Sequence, residues 1–399
     1  MIANYINSFT SVFRNNLRKL VPLALVYSWL ELSQDIFLSP NSFLAETSNV
    51  TFYSQKWMHL LSRQLTELSK LVMMIMTGYF IYGILSDYLS SKEHEVSRLP
   101  WFVFFLIWIL YTRSNNFNNY FAQTPFWLLL GLLGLVLIVI RLVIKHLTPN
   151  QKFILILLTT YLTYSLGNFL AAHLTSSPDL LVQTATLSLL GMGPTHLTMI
   201  FAWTSLAIFL QNFGFLVPFI LQTPSLDLST TTDNLNATLT EHVTTIPHLF
   251  TFYTLRDSFA MLGGLGMILP LLIAVLIESK KLNKSYHFKL SLICLVPVLC
   301  DQQLAFLLGL PIILEPVLLI PMILVSLGAE AIGALFLWLK WLHPAVYSVP
   351  VGTPNLLMGF LASNGDWRYF IVIGIILVVS VLIYLPFIKR AFQREALYD

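Results

Sequence analysis

A handful of polar and ionisable residues stand where the chain is otherwise apolar, and their types limit the chemistry available. Asp301, Gln302 and Gln303 end a hydrophobic segment, His196 lies just beyond Gly191-Met192-Gly193-Pro194, Asp257 follows Arg256, Glu315 precedes Pro316, and Glu330 interrupts the apolar run 316–339. Carboxylates, amides and an imidazole can bind a polar ligand by accepting and donating several hydrogen bonds. They form no nucleophile–base pair and no metal cluster at catalytic spacing, so no catalytic residue, metal ligand or cofactor is assigned. Whether the chain is part of an enzyme system stays open on the sequence.

Each candidate also has a structural reading. Asp301, Gln302 and Gln303 either contact a ligand or cap the end of a broken helix, and His196 either contacts a ligand or bonds a carbonyl freed by Pro194. Asp257 is a ligand group or a cap at the start of a glycine-containing turn. As helix neighbours, Arg256 and Asp257 point about 100° apart and need not pair. Gly263, Gly264 and Gly266 allow tight turns or close packing; a phosphate loop is disfavoured because the strand and the Lys-Ser/Thr ending are absent. Cys294 and Cys300 lack metal or redox spacing and read as buried thiols.

The elements that must position these groups are membrane helices. The 399 residues are 56% hydrophobic and 10% charged, with mean hydropathy +0.75, far from the roughly 25% charged residues of soluble domains. Runs such as 126–140 and 369–388 approach or reach the ~20 residues that cross a ~30 Å apolar layer. The net charge of +3 carries no polybasic tract, which excludes nucleic acid as a partner. Lys and Arg gather at Arg14, Arg18 and Lys19, at Arg141 and Lys145, at Lys280, Lys281 and Lys284, and at Lys389, Arg390 and Arg394. The stretch 223–247 has none, and carries Asp227, Asp233 and Glu241. By the positive-inside rule both termini face the cytoplasm and that acidic stretch faces out.

Residues 1–20 place Phe9, Val12, Phe13, Leu17 and Leu20 at helical spacing among basic residues, predicting an amphipathic helix on the cytoplasmic face. Spans are expected at about 20–37, 68–88, 100–111, 125–144 and 153–172, then a broken or hairpin segment at 180–190 and a span at 197–221. A polar loop, 223–245, separates an N-terminal half, 1–222, which would form the scaffold, from a C-terminal half, 246–399, with the interrupted segments. Paired interruptions of apolar segments are the best sequence pointer to a transporter's midplane site, because backbone that leaves a helix inside a bilayer must be satisfied by protein or by a wet cavity.

Several ordered motifs resemble one family. Asp257-Ser258-Phe259-Ala260-Met261-Leu262-Gly263-Gly264-Leu265-Gly266, then Gly309-Leu310-Pro311 through Glu315-Pro316 to Pro321, then Thr353-Pro354, Gly359-Phe360, Asn364-Gly365-Asp366-Trp367 and Leu382 to Phe387 are similar to the segments of lactose/cellobiose-type IIC membrane permeases of the bacterial phosphotransferase system (PTS). The resemblance implies an all-α, polytopic protein of about ten transmembrane helices with two re-entrant hairpins. It implies a homodimer in the bacterial cytoplasmic membrane that moves a carbohydrate while a separate cytoplasmic IIB protein phosphorylates it. His196, Asp257, Asp301, Gln302, Gln303 and Glu315 are then the expected sugar-binding residues and Gly263, Gly264 and Gly266 the hairpin glycines. Departures fall at the sugar-contacting motifs: the family's Asn-Glu-Pro falls on Gln303-Leu304-Ala305, the His of its Gly-x-His-Gly is displaced to His196, and the Ser of Gly-Gly-Ser-Gly is Leu265. A degenerate relative that senses or docks without transporting is the alternative.

Overall fold

A computed structural model describes residues 12–48, 55–90, 178–213, 217–222, 228–240, 246–310, 316–350 and 352–395, with a few isolated positions between them. The expected spans at 100–111 and 125–144, most of 153–172, and Glu315 lie outside the described residues. Every regular element among the described residues is helical.

A helical segment, 12–19, leads into α1 (Val21–Ser33). Phe13, Leu17 and Leu20 are buried while Asn15 and Lys19 are exposed, so the amphipathic pattern turns its apolar face to the protein. The last turn of α1 widens into π-helix over Gln34–Leu38, an irregularity concentrated at functional sites. A short α2 (Phe43–Ser48) and a long α3 (Lys56–Ser90) follow. α3 starts well before the expected boundary at 68, and packs along α1.

α4 (Pro178–Leu190) ends at Gly191 and Gly193, both at positive φ, and α5 (Leu197–Asn212) starts beyond that break. α5 is shorter than the expected span 197–221. The stretch 223–245, read as a loop, contains a helix, α6 (Ser229–Thr240). Its polar side chains satisfy backbone groups locally: Thr232 and Thr238 hydroxyls donate to Ser229 and Asn234 carbonyls, and the Asn234 amide exchanges two hydrogen bonds with the His248 backbone. Composition looked loop-like because polar groups do here what apolar packing does elsewhere.

In the second half α7 (Ile268–Lys281), α8 (Ser285–Leu299), α9 (Leu304–Gly309), α10 (Pro316–Trp338), α11 (Asn355–Ala362) and α12 (Arg368–Glu395) pack together. α12 lies against α7 and α10, α10 against α5, and α9 against α1. Two helices among the described residues, over Val317–Trp338 and Arg368–Gln393, are long and apolar enough to cross a membrane. On α12, Tyr369, Val372, Ile376 and Tyr384 are buried, whereas Phe370, Ile371, Ile375, Val378 and Leu382 are exposed. A helix apolar on both faces needs protein on one side and hydrocarbon on the other, which is the environment of an integral membrane protein.

Candidate functional site

The chain breaks its helical pattern twice in the second half, and the two breaks meet. In the first, Gly263, Gly264, Gly266 and Met267 all have positive φ, between a π-helical turn at Phe252–Asp257 and the start of α7. Three glycines within four residues make the left-handed conformations accessible without a Cβ clash. In the second, α8 stops at Leu299 after Pro297, Asp301 takes φ +64°, and α9 restarts at Leu304. Pro inside the last turn removes a hydrogen-bond donor, and Asp is one of the few residues that tolerates the left-handed region.

Asp301 stitches the breaks together. Its Oδ1 accepts from the Gly263 N–H at 3.1 Å and its Oδ2 from the Asn355 N–H at 2.7 Å. Asn355, the first residue of α11, donates its amide to the Met261 carbonyl at 2.6 Å. One carboxylate thus joins the glycine turn, the α8–α9 break and the start of α11. The Gln303 amide lies flat against Gly264: a Cβ on Gly264 would stand 2.5 Å from Gln303 Oε1. That oxygen is buried with no partner among the described residues, and an unpartnered acceptor of this kind demands a ligand, a water or a rearrangement.

Gln302 points the other way. Its Nε2 donates to Asp35 Oδ2 at 3.0 Å, so the second break reaches the π-helical end of the first long helix. Glu31, one turn earlier, accepts from the Ser69 hydroxyl of α3. Asp35, Glu31, Asp301, Gln302 and Gln303 are all half-buried rather than sealed. No ion pair joins Asp35 or Glu31 to a cation among the described residues. Carboxylates in that situation inside an apolar protein mark a pathway or a binding site. The arrangement offers carboxylate acceptors and amide donors converging from three elements, the chemistry that reads several hydroxyl groups at once.

The remaining expected residues are placed differently. Asp257 is fully buried and pairs with Arg256, through Arg256 Nε at 2.7 Å and Nη2 at 2.6 Å to Oδ1, correcting the reading that the two need not pair. The widened π-turn and the stacking of the guanidinium on the Phe252 ring, 4.4 Å from its centroid, fold the Arg256 side chain back onto its neighbour. Burial makes that pairing necessary. Asp257 Oδ2 accepts from the N–H and hydroxyl of Ser225 at 2.7 and 2.8 Å, so both oxygens are engaged by protein. His196 is exposed at the start of α5. Glu330 is buried and accepts from Thr204. Gly266 holds the Tyr384 hydroxyl on its carbonyl at 2.6 Å and abuts the Met322 side chain, a packing role.

Asp35, Glu31 and Asn355 were not singled out from the sequence. The available signal was two carboxylates one turn apart in the otherwise apolar stretch 20–37. For Asn355, nothing short of the tertiary structure links it to residues 261 and 301.

No family model matches the chain. Over 139 residues it is 31% identical to the PTS system cellobiose-specific EIIC component of Lactococcus lactis subsp. lactis (strain IL1403), a match that covers 35% of this chain and only 28% of that protein. The crystal structure of the transporter ChbC, the IIC component from the N,N'-diacetylchitobiose-specific phosphotransferase system, superposes over 97% of this chain and 94% of its own, with 17% identity and a TM-score of 0.43. The curated match bears out the resemblance carried by the ordered motifs: over the matched segment this chain is similar to a phosphotransferase-system EIIC component.

Proposed function

We propose that the chain is a IIC-type sugar permease of the bacterial cytoplasmic membrane, moving a carbohydrate, with β-linked disaccharides as the favoured class, by alternating access. The reading includes about ten transmembrane helices, two re-entrant hairpins around the glycine turn and the 300–303 break, a homodimer with cytoplasmic termini, and a separate cytoplasmic IIB protein that phosphorylates the sugar. Its main support is that Asp301 and Gln303 meet the glycine turn, with the buried Gln303 Oε1 unpartnered among the described residues, while Gln302 reaches Asp35 of the first half. Asp301 positions the site and Gln303 and Gln302 face the sugar. Asp35 supplies a carboxylate from the scaffold half, which compensates for the one missing from the family motif. His196 and Glu315 remain proposed contacts of secondary weight, and Asp257 is assigned to holding Arg256.

The test is uptake of a labelled sugar panel, cellobiose included, by vesicles carrying the protein with a compatible IIB enclosed. Wild-type uptake that falls at least tenfold in Gln303→Ala supports the reading; no uptake and no binding of any panel member sinks it. The exposed position of His196 and the absent family carboxylate favour one alternative, a degenerate IIC relative that senses a sugar or docks a partner. It predicts binding without uptake.

A further inference from the structure

The Asn364-Gly365-Asp366-Trp367 motif is not part of the hairpin site. It lines a cavity of about 590 Å³ with His343 and Tyr347 at the start of α12, a size within the ~300–1,000 Å³ of small-molecule sites. The polar walls are fixed by one another. Asp366, whose side chain is almost fully buried, accepts a forked pair from Arg368 Nε at 2.7 Å and Nη2 at 2.8 Å, and the His343 N–H at 3.0 Å. Arg368 Nη2 also lies 2.9 Å from His343 Nδ1. Nδ1 also lies 3.2 Å from Asp366 Oδ2, so that nitrogen is held by both groups and Nε2 is left for a ligand on an imidazole that is 73% exposed. Trp367 is 64% exposed, and Asn364, also exposed, is held at φ +62° beside Gly365 at φ +85°.

With Arg368 neutralised by Asp366 the cavity carries no net charge for an anion. An open aromatic face, an amide and an imidazole nitrogen suit a neutral, hydroxyl-rich ring. From Arg368 to Arg390 α12 rises about 33 Å at 1.5 Å per residue, the depth of an apolar layer. The cavity therefore stands at the opposite membrane surface from the basic cluster Lys389, Arg390 and Arg394, which the positive-inside rule makes the outer one.

We propose that this cavity is a second carbohydrate site, an outer vestibule where a sugar ring stacks on Trp367 and hydrogen-bonds to Asn364 and His343 Nε2 before reaching the hairpins. Binding at the vestibule stands by itself; only its place upstream of the hairpins rests on the transport reading. The full chain in lipid nanodiscs is titrated with cellobiose, lactose and N,N'-diacetylchitobiose while intrinsic tryptophan fluorescence is followed. At least one sugar should give a saturable change that persists in Gln303→Ala, disappears in Trp367→Phe and needs at least tenfold more sugar in Asn364→Ala, with thermal midpoints of the variants close to wild type. A response retained in full by Trp367→Phe, or silence of the wild type toward all three sugars, overturns the vestibule. Uptake without the Trp367 signal removes this site and leaves the permease reading standing. The Trp367 signal without uptake does the reverse.

Discussion

Asp301 serves two backbone N–H groups that belong to two different elements, and its substitution is informative for that reason. Asp301→Ala leaves the Gly263 and Asn355 N–H groups without their acceptor, each loss worth about 1–3 kcal/mol, and puts a Cβ residue without local hydrogen bonding at φ +64°. Asp301→Asn keeps one carbonyl acceptor and tolerates that conformation. The thermal midpoint in detergent should fall for both, with Ala clearly below Asn, and sugar uptake should follow the same order. Asp366 gives the pH prediction. Burial works against its ionised form, but the hydrogen bonds from Arg368 and from the His343 backbone outweigh it and hold its pKa down to about 2 from the ordinary 3.8. A carboxylate depressed on folding contributes stability above the unfolded value and loses it as pH falls toward the folded value. The stability gap between wild type and Asp366→Asn, measured by thermal unfolding, should be full at pH 5 and close between about pH 4 and pH 2.

The helix breaks carry their own test. Gly264 has φ +101°, and a Cβ there would strike the Gln303 amide. Gly264→Ala should therefore abolish uptake and lower the thermal midpoint. In Gly264→Ala with Gln303→Gly the steric part is relieved while the strained φ remains, so the double variant should recover part of the lost stability. Full additivity of the two effects would show that the side chain and the turn do not touch. That the breaks exist was legible: the glycines and Asp301-Gln302-Gln303 are local instructions that disrupt a helix whatever surrounds them, whereas the part of Pro297 emerged only with the structure. The helix in 229–240 was not legible, because its Ser, Thr and Asn residues look loop-like until their partners at Ser225 and His248 are known.

Across the whole molecule, the hydrogen bond from Gln302 to Asp35 ties residues far apart in sequence and joins the first long helix to the second half. A charge-assisted bond at a half-buried site should show a coupling of about 1 kcal/mol in a double-mutant cycle of Asp35→Asn and Gln302→Ala, read from thermal stability. If movement of the second half against the first carries the sugar, the same pair should also be coupled in the uptake rate. Additive effects in both measurements would separate Asp35 from the site.

Composition and hydropathy were enough to determine a membrane protein, because apolar surface on this scale has no stable place in water. The ordered motifs were enough to point to the IIC resemblance, and the glycines at 263, 264 and 266 with Asp301-Gln302-Gln303 to where the helices stop. Only the tertiary structure decided what those stops are for. Burial forces every charge and every broken backbone group to find a partner, and the partner is chosen by proximity in space. That is why Arg256 closes on Asp257, Asp301 on Asn355, and Gln302 on Asp35, pairings that no periodicity or spacing in the chain encodes.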